Sequence, residues 1–156
     1  MATRDTQNIA LAGRNLLATS LQLAGVEVAR PERDHGIDLI AYLDNDTFQA
    51  VPIQLKVSSN KYFGVWPRYA KFLKLVLVFI WDVSTQQPRF FALTHDQSVA
   101  IAEKMGWTET RSYRGETKRP APGFDTNAPS VALQQELEQY EVKEAADWKR
   151  LFSGSK

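Results

Sequence analysis

Asp38 opens the apolar segment GIDLIAYL, and sixteen residues later Gln54 and Lys56 flank Leu55 inside a second one, VPIQLKV. Polar side chains in such segments cost free energy unless something partners them. Together they have a chemical use. A carboxylate and an amide carbonyl are hard oxygen ligands, suited to Mg²⁺ or Mn²⁺ with several waters retained. A neighbouring ammonium can orient an attacking water and offset charge growing on a phosphate, while the cation lowers the pKa of its water. That set is machinery for phosphodiester hydrolysis. Asp38 and Gln54 are the candidate metal ligands, Asp34 is a candidate second carboxylate four residues upstream, and Asp38, Gln54 and Lys56 are the candidate catalytic residues.

Two strands joined by a polar turn would position this set. Residues 37–43 and 48–57 read as strands around DNDT. In the second, Val51, Ile53, Leu55 and Val57 point one way, and Pro52, Gln54 and Lys56 the other, because strand side chains alternate. With the turn centred near Asn45–Asp46, simple pairing sets residue 38 opposite residue 53; a bulge at Pro52 would bring it opposite Gln54. Proline cannot donate to a ladder, so Pro52 also implies a nearby strand edge or bulge.

Before the hairpin, residues 6–24 place Ile9, Ala12, Leu16, Leu17, Leu21 and Ala24 on a helical stripe that Gly25 ends. Residues 26–29 read as a short strand and RPERDHG as a loop containing His35, which either assists at the site or is an ordinary loop histidine. After the hairpin comes a long aromatic and basic loop over 59–72, with a helical turn near Tyr69. Its Lys61, Arg68 and Lys71 interleave with aromatics, which suits either contact with bases and phosphates or a small apolar core with basic tips. KLVLVFIWDV and RFFALT read as strands, and residues 95–106 as a helix capped by Thr94 or Asp96 and stopped by Gly106. His95 reads as a local cap or surface residue. Residues 107–128 read as an extended connection, either a clamp whose Arg111 and Arg114 contact phosphate or a plain mobile linker. A C-terminal helical segment, 129–152, follows. Trp81, Trp107 and Trp148 read as packing residues.

The whole, residues 1–156 with a core over 6–106, is expected to be one α/β domain with a central sheet flanked by helices. The chain has no cysteine, which excludes disulfides, thiolate metal sites and cysteine nucleophiles. It has no apolar run of membrane-spanning length and no signal-peptide build at MATRDTQN, so a cytoplasmic protein away from membranes is the expectation. Net charge is only +1, but residues 61–119 carry ten basic and five acidic side chains. This basic middle segment could face nucleic-acid phosphate or be an ordinary solvated surface.

The opening helix ending in QLAG, then VEVARPERDHGIDLI, then IQLKVSS resemble the PD-(D/E)xK nuclease superfamily, the restriction-endonuclease-like fold, over residues 6–59. The resemblance is closest to the variant with glutamine at the penultimate motif position, found in a group I intron homing endonuclease and related small bacterial nucleases. It implies a mixed central sheet, Asp38 as metal-binding aspartate, Gln54 in the usual glutamate position, Lys56 as the lysine, and nucleic acid, expected to be DNA, as substrate. Cutting both strands of a duplex would favour a homodimer or higher homo-oligomer. Two positions depart from the family. The first helix reads AGRN at 12–15, where a glutamate is frequent, and Ile37 stands where proline usually precedes the aspartate. Fewer anionic ligands imply either a single-metal site or an inactive scaffold serving as a nucleic-acid-binding, immunity or partner protein.

Overall fold

The computed structural model describes residues 5–153, so the first four residues of the N-terminal segment and the last three of the chain lie outside it. The first helix, α1, runs Thr6–Leu23, and the Asp5 side chain caps it by accepting from the Gln7 and Asn8 amides. Its buried stripe is Gly13, Leu17 and Leu21, while Ala12 and Leu16 face outward. The stripe is turned relative to the expected one because Gly13 sits on Val57: a Cβ there would come within 2.6 Å of Val57 Cγ1. Gly25, at φ +80°, takes the left-handed conformation just past the helix end.

Next come β1 (Glu27–Ala29), β2 (Leu39–Asp44) and β3 (Phe48–Val57), joined as antiparallel neighbours. The β2–β3 ladder is unbroken from Asp44–Phe48 to Leu39–Ile53, with Ile40 opposite Pro52. The expected bulge at Pro52 is therefore absent: the turn holds three residues, 45–47, so the hairpin is centred on Asp46. Asp38 and Gln54 follow directly beyond the last pair, Leu39–Ile53. Nor does Pro52 mark an edge strand. The Asp38 amide donates to Ile53 O, so the backbone of Ile53 faces β2 and that of Pro52 faces the other way. On that side pairing begins only one residue later, at Ile53 with Val76, so no ladder bond is lost.

Strand β4 (Phe63–Val65) and a 3₁₀ turn over Pro67–Lys71 lead to β5 (Val76–Trp81), then to β6 (Arg89–Thr94) and helix α2 (His95–Lys104). Thr94 and Gln97 form a reciprocal capping box at the start of α2. Strand β7 (Phe124–Thr126), helix α3 (Val131–Glu138), strand β8 (Glu141–Val142) and helix α4 (Ala145–Lys149) complete the chain. The Ser130 side chain caps α3 by accepting from the Leu133 amide.

Six strands form one mixed sheet in the order β1-β2-β3-β5-β6-β8, and β3–β5 is its parallel pair. Helices flank both faces, as the α/β expectation required. Leu17 and Leu21 of α1 and Trp148 of α4 pack on Leu39, Ile53, Val78 and Ile80. On the opposite face, Ile101 of α2 and Leu133 and Leu137 of α3 pack with Leu77, Phe79, Phe91 and Leu93. Burial on both faces explains why β5 is apolar throughout.

Strands β4 and β7 pair in a separate two-stranded sheet. Residues 107–128 are therefore not an extended connection. The Gly123 amide donates to Ser112 O, the Ser112 hydroxyl donates to Gly123 O, and Arg119 joins Asp125 at 2.7 Å, so the segment closes on itself. Gly123 and Gly64 lie so close to Trp66 that a Cβ at either would collide with its indole. No helix among the described residues is long and apolar enough to cross a membrane.

Candidate active site

Alternation along β3 sends Val51 and Ile53 into the α1 core, and Gln54 and Lys56 to the face carrying the aromatic cluster. Gln54 pairs in register with Leu77, and Lys56 with Phe79. Gln54 is 9% exposed. Its Oε1 is buried with no hydrogen-bond partner, and its Nε2 makes one long contact, 3.4 Å, to Leu55 O. Burying an acceptor without a donor costs free energy, so Gln54 carries an oxygen the fold itself does not satisfy.

Lys56 Nζ lies 4.6 Å from the centroid of the Trp66 ring and 5.6 Å from that of Tyr69. Cation–π attraction to both rings holds the ammonium on this face. The rings are themselves packed edge-on, 6.0 Å apart, and Trp66 O contacts His95 Nε2 at 3.1 Å. His95 thus anchors the aromatic loop to α2 instead of capping the helix.

Asp38 reaches the strand backbone: its Oδ2 accepts from the Leu55 amide at 2.7 Å. The half-buried carboxyl is held above its ordinary pKa. Burial is the main cause; repulsion from Asp34 adds to it, while the Leu55 amide and the Lys56 charge oppose it. Asp34 stands on the preceding loop, where its Oδ1 accepts from the Gly36 amide in a tight turn at φ +97°. The repulsion that Asp34 exerts on an ionised Asp38 is what a bound cation would relieve. Among the described residues no group of three or more His, Cys, Asp and Glu side chains gathers, so a cation here would need the Gln54 oxygen.

Two concavities meet at Asp34, which lines both. The larger, about 710 Å³, lies against α1 and holds Asp38, Leu55, Arg14, Ser58, Asn60 and Asn127. The smaller, about 320 Å³, holds Gln54, Lys56, His35, Arg68, Lys71 and Tyr69. The expected residues are therefore brought to one region, with Asp38 lining the larger concavity, Gln54 and Lys56 the smaller, and Asp34 both.

The expected basic contacts separate further. Arg68 and Lys71 border Lys56. Lys61 instead donates to Gln134 Oε1 on α3 at 3.0 Å. Arg111 and Arg114 line neither concavity and both face Glu116, at 3.9 and 3.2 Å. Of the aromatics in the 59–72 loop, Phe63, Trp66 and Tyr69 are buried in the second core. Trp81 and Trp148 are core residues and Trp107 stacks near Phe124 and Phe63, all as expected of packing side chains.

Sequence reasoning passed over two groups. Arg14, noted only as not being a carboxylate, faces the larger concavity, and its Nε is buried without a partner. No local pattern marks it, because the concavity it faces is completed by residues from elsewhere in the chain. Asp125 belongs to a strand only three residues long, which carries no periodicity to read. Burial works against its charge, but hydrogen bonds from Tyr62 (2.7 Å) and Arg119 hold its carboxyl below the ordinary range.

Comparison with known proteins finds no family model, no curated protein and no solved structure that matches this chain.

Proposed function

We propose that this chain is a metal-dependent endonuclease of the restriction-endonuclease-like class, hydrolysing phosphodiester bonds of DNA with water as nucleophile and without a covalent intermediate. The observation that carries the proposal is the buried, unpartnered Oε1 of Gln54, beside Lys56 and across the hairpin from Asp38. The residue order on α1, β2 and β3 supports it.

Asp38, Gln54 and Asp34 would hold Mg²⁺ or Mn²⁺, which when bound supplies Lewis acidity and a water of lowered pKa. Asp38 offers its remaining carboxylate oxygen while the Leu55 amide fixes its orientation. Gln54 offers a neutral carbonyl, which binds a cation or aligns a water. Lys56 keeps its ammonium on the Trp66 and Tyr69 faces, placing positive charge where a phosphate gains negative charge. Arg68 and Lys71, on the same concavity, suit contacts to the strand backbone.

The second reading is a non-catalytic scaffold that binds nucleic acid or a protein partner. It is favoured by Arg14 occupying the α1 face where an acidic ligand would strengthen cation binding. Supercoiled plasmid incubated with Mg²⁺, Mn²⁺ or chelator separates the two. Cleavage that needs the cation and disappears in Asp38→Ala and Lys56→Ala supports the enzyme. Cleavage indifferent to both substitutions refutes the site, and binding without cleavage selects the scaffold.

A further inference from the structure

We infer that Arg14 binds a backbone phosphate of the substrate strand, next to the one that is cut, from the α1 side of the site. The inference rests on the nuclease reading and adds a strand path to it.

Arg14 is a permanent cation with five donors in a rigid fork. Its Nε is buried and has no acceptor, and among the described residues it forms no ion pair. A buried donor without an acceptor is a cost the fold carries. Asp34 and Asp38 line the same concavity, yet neither closes on the guanidinium. An anionic acceptor from outside would meet the guanidinium through its two Nη groups, which are neither closed off like Nε nor paired within the described residues.

The neighbouring groups say which anion. Beyond Asp34, the adjoining concavity carries Lys56, Arg68 and Lys71. A polyanion passing from one concavity to the other by Asp34 would set one phosphate on Arg14 and others on that cluster, with the reacting phosphate near Asp38. The rim on the Arg14 side is built to stay in place. The Ser58 amide donates to Ile80 O, the Val83 amide to Ser58 O, and the Asp82 amide to Asn60 O, tying residues 58–60 to the end of β5. Ser58 and Asn60 present further polar groups to the strand there. Gly13 presses α1 onto Val57, which sets the depth at which Arg14 stands.

The test is fluorescence anisotropy of a labelled single-stranded DNA oligonucleotide with the full chain, in Ca²⁺ to withhold cleavage, across a range of NaCl. Wild type, Arg14→Gln and Arg14→Lys are compared, with circular dichroism confirming the fold of each. Removing one phosphate contact should lower the magnitude of the log–log salt slope by about 0.7. Arg14→Gln should also weaken binding about tenfold, the scale of a charge-assisted hydrogen bond. Arg14→Lys should restore the slope. An unchanged slope in Arg14→Gln overturns the inference, as does an Arg14→Lys variant no better than the glutamine one, which would mark a packing role. Failure of the nuclease reading looks different: wild type that binds no nucleic acid overturns both, while wild type that binds with the full slope but never cleaves in Mg²⁺ removes only the catalysis.

Discussion

Asp38 should separate two kinds of loss that a single inactive variant would confuse. Its Oδ2 satisfies the Leu55 amide at 2.7 Å, and its charge is disfavoured by burial and by Asp34. Asp38→Ala removes the acceptor and leaves a part-buried N–H unpaired, which costs about 2 kcal/mol. For a domain of this length that lowers Tm by roughly 4–8 °C. Asp38→Asn keeps an oxygen for Leu55 but removes the charge. The folded-state pKa lies above the unfolded value, so the folded chain holds this proton more tightly. The penalty for ionisation is absent below the unfolded value and grows as pH rises through the folded one. In chelator at pH 7, Asp38→Asn should therefore melt at or above wild type, and the gap should close near pH 4. Both variants should lose cleavage. Calorimetric melting of the three proteins at both pH values is the assay. Equal stability of the alanine and asparagine variants would refute the hydrogen-bond argument, and an asparagine advantage that persists unchanged at acid pH would refute the charge argument.

Gln54→Leu removes an unsatisfied buried oxygen, so it should melt no lower than wild type in chelator, yet lose the gain of about 2.7 kcal/mol expected of wild type at a hundred times the Mn²⁺ dissociation constant; a retained Mn²⁺ shift would exclude Gln54 as ligand. Gly13→Ala sets a methyl against Val57, and overpacking of about 1–3 kcal/mol should outweigh the gain in helix propensity; adding Val57→Ala should recover part of the loss in a urea titration. Glu141, held below its ordinary pKa chiefly by its hydrogen bond from Arg89, contributes stability above its unfolded pKa that is lost as pH falls through the folded one. With Arg89 37% exposed, Glu141→Gln should cost under about 1 kcal/mol at pH 7 and progressively less as pH falls below the unfolded value, checked by urea midpoints along a pH series.

The parts of the fold written in strong periodicity were legible. The amphipathic α1, the hairpin, the doubly buried β5 and the helix start at Thr94, one of two caps the pattern offered, all follow from local pattern. The face of β3 that carries Gln54 and Lys56 follows from alternation alone. Register did not, because it turned on whether the hairpin was centred between Asn45 and Asp46 or on Asp46 itself, and Pro52 suggested a bulge where the missing donor in fact meets no strand. Strands β4, β7 and β8 are two or three residues long. They exist because tertiary contacts hold them, through Trp66 under Gly64 and Gly123 and through Arg89 gripping Glu141. The same limit hid Arg14: a helix stripe shows which side is buried, but not which flanking residue overlooks a concavity formed by loops from elsewhere in the chain.

The ends of the main sheet bear on assembly. Its outermost strands, β1 and β8, are three and two residues long. Such rims expose too little backbone for a neighbouring chain to extend the sheet in register, and they also resist edge-to-edge aggregation. A pair of these chains acting on two strands of a duplex would gain little by joining β1 to β1 or β8 to β8, which leaves helices and loops as the larger surfaces for contact.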